Sequence, residues 1–237
     1  MRITLAEFNQ YLHIREPNNA ELVLINNYRP SGASPYEANE LIRFTIMASN
    51  NLIHQSLGCW DLQSLETMIA SFGGADLMLD HNWEDGTKTF GFVYDQMVVS
   101  VPKPSNEAMS KILKLSPSPE NDRKLIEQNG YHQVLLFGVI EKSHPITSEI
   151  LYRRKSDVSI GGHFRGDYVC PLCNESFFSE SCNHYPPMYA GRVEPQDLAP
   201  FYIRSGIFYS VECSLVASGN CIQAKIIDEN LSTFVMI

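Results

Sequence analysis

A chain of 237 residues, 44% hydrophobic and 19% charged, can bury the core of one globular domain, with room for an excursion, and is not disordered by default. Its net charge of −9 argues against a phosphate-tracking surface, because nucleic-acid binders display basic stripes; "YRRKSD" is too short for one and reads as the solvated end of a helix. The apolar runs fall well short of the roughly 20 residues that cross a bilayer, and the N-terminus lacks the apolar core of a secretory signal, so a cytosolic protein with no membrane and no nucleic-acid partner is expected.

In chain order, Thr4 with Glu7 forms a capping-box pattern for a helix over roughly 5 to 12. "LIRFTIM" alternates Ile42, Phe44 and Ile46 against Arg43 and Thr45, the period of a half-buried strand. "WDLQSLETMIASFGG" sets Asp61 as N-cap, Leu62, Leu65, Ile69 and Phe72 on one helical face, and Gly73 past the end. "ADLMLDH" and "FGFVYDQMVVSV" read as strands around the polar turn "NWEDGTKT". Residues 102–130, rich in Pro, Ser, Asn and Lys, read as an insertion or lid with two short helices. "YHQVLLFGVIEK" resumes as a strand, "ITSEILYRR" as a helix and "DVSIGG" as a strand; "GIFYSVECSLVAS" and "CIQAKII" close the series as strands. Many strands with scattered helices and no βαβ rhythm predict an α+β domain over 1–237, a mostly antiparallel sheet or barrel flanked by short helices.

The cysteines carry the most specific local pattern. Cys170, Cys173, Cys182 and His184 spell C-x2-C-x8-C-x-H within a loop insertion over 166–192. Three thiolates and one imidazole make a tetrahedral set that zinc accepts, so a zinc-stapled loop is expected, against the alternative of four unrelated cytosolic residues. Four protein ligands leave no position for water, which makes such a metal structural. Cys59, Cys213 and Cys221 read as buried small hydrophobes.

Three separated blocks then carry a resemblance: "LMLDHNWEDGTKTFGFVYD", "KSDVSIGGHF" and "YSVECSLVASGNCIQAKI". Together they resemble the tailed-phage prohead maturation proteases, relatives of the herpesvirus assemblins. The matching positions are His81 with Gly91, Ser159 with Gly161, and Glu212 with Ser214, Leu215, Val216 and Ala224. Some members of the family also carry a Cys/His loop between the second and third blocks. The likeness covers most of 77–227 and is weak toward the N-terminus; the family's "PAN" after the last block is "SGN" here, Ser218 to Asn220.

The resemblance implies an assemblin-like barrel and a serine endopeptidase with His81, Ser159 and Glu212 as its catalytic set. It implies capsid or scaffold protein as substrate, a site of action inside the immature prohead in the host cytoplasm, a homodimer as one allowed assembly, and scaffold supplied by a separate chain. A catalytically silent, zinc-stapled assembly protein of the same fold is the alternative. Residue chemistry alone does not single out the pair, although serine does need a positioned base and histidine is the usual one. For the third member Asp80 and His163 are rivals of Glu212, and Glu212 by itself also reads as a surface carboxylate paired with an arginine. Gly161 and Gly162 after Ser159 suit backbone donors to an oxyanion, or a strand-ending bulge.

Overall fold

The structure, a computed structural model, describes residues 12–227 other than 83, 86, 87 and 153. The helix expected over 5–12 falls, but for its last residue, outside them, and the turn "NWEDGTKT" is described only in part. The described residues form an α+β fold: a mixed sheet of eight strands with five α-helices. The strands are β1 (Leu41–Asn50), β2 (Gly58–Trp60), β3 (Asp76–Leu79), β4 (Gly91–Val101), β5 (Tyr131–Glu141), β6 (Val158–Val169), β7 (Tyr202–Leu215) and β8 (Lys225–Ile227). The helices are α1 (Asn19–Asn26), α2 (Leu62–Ile69), α3 (Asn106–Lys114), α4 (Pro119–Asn129) and α5 (Ile146–Leu151).

The order is β2-β7-β3-β4-β5-β1-β8, with β6 on the other side of β7. Most pairings are antiparallel; β2 and β3 run parallel to the two ends of β7. The expected barrel is not closed. The β6 and β8 edges meet through the isolated bridge Asp157↔Lys225, with Ile226 N–H donating to the Ser156 carbonyl and Val158 N–H to that of Ala224. Among the described residues β8 contributes three residues, Lys225–Ile227, and beyond this bridge no ladder joins it to β6.

The "LIRFTIM" strand forms, but it is not half-buried. Phe44, Ile46 and Ala48 enter the main core beneath α2, whereas Leu41 and Met47, on the other face, join a second core with Ile25 of α1, Tyr94 and Phe137. Arg43 and Thr45 therefore point into that second core and are fully buried. A buried guanidinium is tolerated only when paired, and Glu21 of α1 meets Arg43 Nε at 3.2 Å. Alternation of polarity marked the strand correctly and mistook a second interior for solvent.

α2 starts where its N-cap predicts, with Ser64 N–H donating to Asp61 Oδ1 at 2.7 Å, and it buries Leu65 and Met68. Phe72 is buried just beyond its end, and the left-handed residue there is Gly74, not Gly73. The two helices expected in 102–130 are α3 and α4; they pack through Met109, Ile112, Leu113 and Ile126 on Leu52 and Tyr131. Asp122 of α4 ties this hairpin to the segment after β1 by accepting the Ile53 N–H, and fixes the turn between the two helices by accepting the Ser116 hydroxyl.

Strand β6 does not end at its glycines. It runs to Val169, with a bulge at Gly161/Gly162 that leaves Val211 of β7 unpaired. A Cβ on Gly162 would lie 2.3 Å from the Tyr209 carbonyl oxygen, so close strand approach requires glycine there. Gly166 faces Gly206 with the same tightness, each Cβ position falling under 3 Å from the opposite backbone. These contacts let the β6–β7 ribbon coil tightly.

Candidate active site and metal centre

Long-range register assembles the first constellation. Ser159 on β6 lies directly opposite Ser214 on β7, and Gly161 opposite Glu212. Residues directly opposite in an antiparallel pair share a face, their Cβ atoms about 4.5–5.5 Å apart, so Ser159, Ser214 and Glu212 stand on one face of the ribbon. The adjoining positions Val158, Ile160, Cys213 and Leu215 turn to the main core.

His81 reaches this face from β3. The parallel ladder ends as Asp80 N–H donates to the Leu215 carbonyl. Asp80 and His81 then take left-handed backbone angles, φ 55° and 54°. Such angles are uncommon outside glycine, and here they swing the imidazole back over β7. Its Nδ1 lies 2.6 Å from Glu212 Oε1. A carboxylate only accepts, so Nδ1 carries the hydrogen and the neutral ring keeps its lone pair on Nε2. Glu212, 1% exposed, is no surface carboxylate. Its hydrogen bond raises the His81 pKa, which burial opposes and the charges of Glu212 and Asp80 reinforce. The folded imidazole thus binds its proton more tightly than the unfolded one. The pair's contribution to stability is complete below the ordinary histidine pKa and is lost as pH rises through the raised value.

Sequence reasoning missed Ser214 as a member of this set. Its hydroxyl donates to Glu212 Oε2 and accepts the His81 N–H at 3.1 Å, so one buried side chain fixes both the carboxylate and the left-handed turn. The signal available was its place two residues after Glu212, on the same strand face. Ser214→Ala leaves an oxygen of a buried carboxylate and one backbone N–H without partners, and is expected to cost about 1–3 kcal/mol, read as a lower urea midpoint at unchanged m-value. Of the two rivals, Asp80 contributes charge alone to His81, and His163 is exposed beyond the bulge, opposite Tyr209.

The second constellation is the Cys/His loop between β6 and β7. The ligand atoms of Cys170, Cys173, Cys182 and His184 all lie within 4.8 Å of one another, a group able to hold a metal ion. All six cysteines of the chain are free thiols. His184 Nδ1 is buried without a hydrogen-bond partner among the described residues, which fits a nitrogen that ligates a metal. Cys173 is brought down to about 7, chiefly by a backbone hydrogen bond from Glu175, which favours the thiolate that metals bind. Cys59, Cys213 and Cys221 are buried, and burial raises all three thiols. No helix among the described residues is long and apolar enough to cross a membrane.

Comparison with known protein families, with curated proteins and with solved structures found no match.

Proposed function

We propose that this chain is a serine endopeptidase of phage prohead maturation that cleaves capsid or scaffold protein through an acyl-enzyme. The observation that carries the chemistry is the His81 Nδ1–Glu212 hydrogen bond, made on the same strand face as Ser159. The phage assignment rests on the three sequence blocks alone. In this reading Ser159 Oγ attacks the scissile carbonyl carbon as His81 Nε2 takes its proton. Glu212 holds the ring in the required tautomer and stabilises the imidazolium. Backbone N–H groups at Gly161 and Gly162, beside the bulge, serve the oxyanion. The imidazolium then protonates the leaving amine as the C–N bond breaks. Water, deprotonated by the same ring, releases Ser159 and the new carboxyl group.

Zinc is the metal we assign to Cys170, Cys173, Cys182 and His184. Three sulfurs and one nitrogen match its tetrahedral preference, and a closed shell gives it a structural role. The place of action in this proposal is the immature prohead in the host cytoplasm.

The test is covalent labelling. A serine-directed fluorophosphonate should give one adduct per chain, on Ser159, suppressed in His81→Ala, and co-expression with the neighbouring capsid and scaffold genes should yield defined cleavage products by mass analysis. A folded protein with no adduct and no products would instead be the silent, zinc-stapled assembly protein.

A further inference from the structure

The segment that joins β6 to β7, residues 170–201, exposes more apolar surface than a metal loop needs. Phe178 is 79% exposed, Met188 61% and Tyr189 41%. With Tyr168, Tyr185 and Tyr202 these residues line one cavity of about 570 Å³, within the roughly 300–1,000 Å³ of ligand sites. It is larger than the open hollow of about 540 Å³ beside His81 and shares no lining residue with it, so the proposed reaction makes no use of it. An exposed apolar patch of this kind marks an interaction site.

The walls are set before any partner arrives. Tyr168 meets Phe178 and Tyr202 edge-on, with ring centroids at 6.3 and 5.4 Å and planes at 77° and 67°. Tyr185 and Tyr189 form a tilted pair 5.8 Å apart. Their backbone is fixed as well, since Tyr185 N–H donates to the Asp197 carbonyl and Tyr189 N–H to that of Pro186. Rings at steep angles make a ridged surface, unlike the flat platform that stacks a nucleobase. The Tyr168, Tyr185 and Tyr189 hydroxyls make no hydrogen bond among the described residues, whereas that of Tyr202 is engaged by Arg204 and Ser56. Free phenol donors along an apolar groove call for unbonded carbonyl oxygens. A polyproline II segment presents them, because its backbone forms no internal hydrogen bonds, and its preformed helix docks on aromatic-lined grooves at low entropic cost.

Charge fixes the rest of the partner. Residues 170–201 carry Glu175, Glu180, Glu194 and Asp197 against Arg192 alone, and none of the four carboxylates makes an ion pair among the described residues. Glu180 stands in the chain between Phe178 and Cys182 of the cavity wall, and Asp197 is joined to Tyr185 through its carbonyl. The Arg204 guanidinium lies 5.1 Å from the Tyr202 ring centroid, so a cation is favoured away from that ring and toward these carboxylates.

We infer that this groove docks an extended, proline-containing segment of a partner protein that carries a lysine or arginine beside its prolines. The inference goes beyond the protease reading and does not rest on it.

Ser159→Ala protein, which should leave peptides uncut, is titrated by fluorescence anisotropy with labelled pools of short acetylated, amidated peptides built on Pro-x-x-Pro with one flanking Arg. This pool should bind about tenfold more tightly than a pool with both prolines replaced by Ala, and more tightly than one with Glu in place of Arg. Phe178→Ala and Tyr189→Ala, at exposed positions, should each weaken it by a similar factor. Glu180→Gln combined with Asp197→Asn should erase the preference for Arg over Glu and keep the preference for proline. Equal binding of the proline and alanine pools would overturn the inference, and this comparison needs no variant of the groove. Binding unmoved by both Phe178→Ala and Tyr189→Ala would place the peptide elsewhere and overturn it too. A dimer in sedimentation that Phe178→Ala dissolves would give the groove to a second copy of the chain and remove the partner. Proline-dependent binding by a protein whose wild type takes no fluorophosphonate on Ser159 would keep the groove and discard the protease.

Discussion

Ser159→Ala and His81→Ala should each lower cleavage of the shell substrate by roughly 10⁶-fold in kcat, the scale seen when a serine nucleophile or its base is removed. The two groups act in one step, so the double variant should be hardly slower than either single one. Ser159 is partly exposed and His81 keeps more than a third of its side chain accessible, so neither truncation opens a core cavity and circular dichroism should stay near wild type; Ser159→Ala should keep the wild-type thermal midpoint, whereas His81→Ala, which strips a partner from buried Glu212, should lower it modestly. Glu212→Gln keeps the shape and removes the charge, with an expected loss of several orders of magnitude in kcat and little change in substrate affinity. The pH profile gives the independent reading. The base works only when neutral, so kcat/KM should rise with pH through the His81 pKa, which Glu212 holds above its ordinary value. In Glu212→Gln that acidic limb should move to lower pH even as the plateau drops. Full cleavage by folded Ser159→Ala protein sinks the nucleophile assignment; an unmoved limb in Glu212→Gln assigns the titration to another group.

What the sequence made legible was local. The Asp61 cap, the paired helices of 102–130, most of the strands and the Cys/His spacing follow from residues close together in the chain and are where expected, whereas the short β2 and the helix α1 went unread and β6 and β7 run longer than their segments suggested. What it hid was pairing at long range. Alternation in "LIRFTIM" shows two faces and cannot show that Leu12, Ile25 and Phe137 arrive to cover the second. The glycines after Ser159 looked like the end of a strand because their partner backbone, at Tyr209, is distant in sequence. Closure of the sheet depended on how two edges distant in sequence meet, and strand propensity in "CIQAKII" did not reveal that the described part of β8 touches β6 through one bridge. The candidate site divides in the same way. Blocks suggested His81, Ser159 and Glu212 and contained Ser214, but its role, bonding Glu212 and the His81 backbone, appears only once β3 and β7 are brought together.

Metal loss is the second large effect. The ligand loop leaves β6 just after Val169 and returns at Tyr202, and the Val169↔Ile203 and Tyr168↔Arg204 pairs close its base. Tyr168 and Tyr202 also line the larger cavity of about 570 Å³ that Cys182 and His184 border. The cluster therefore braces the Arg204 end of the ribbon, while the His81–Glu212–Ser214 bonds hold the Ser159 end by themselves. In isolated zinc domains the metal contributes apparent free energies of order 10 kcal/mol, and in a chain of this size each kcal/mol is worth roughly 2–4 °C in Tm. Even partial expression of that energy makes a fall of about 10 °C the expected result for Cys173→Ser, together with loss of bound metal, where wild type should carry near one zinc per chain. Cobalt or cadmium should restore both in the wild-type apoprotein, because the site asks for tetrahedral thiolate coordination and no particular reactivity. Below its Tm the variant should keep the wild-type pH profile, since in the proposed mechanism the titrating base is His81 and not a metal-bound water. Purified protein of normal stability with no metal would show that these four residues are not a site. A pH profile that moves when cobalt replaces zinc would make the metal catalytic and remove the need for Ser159.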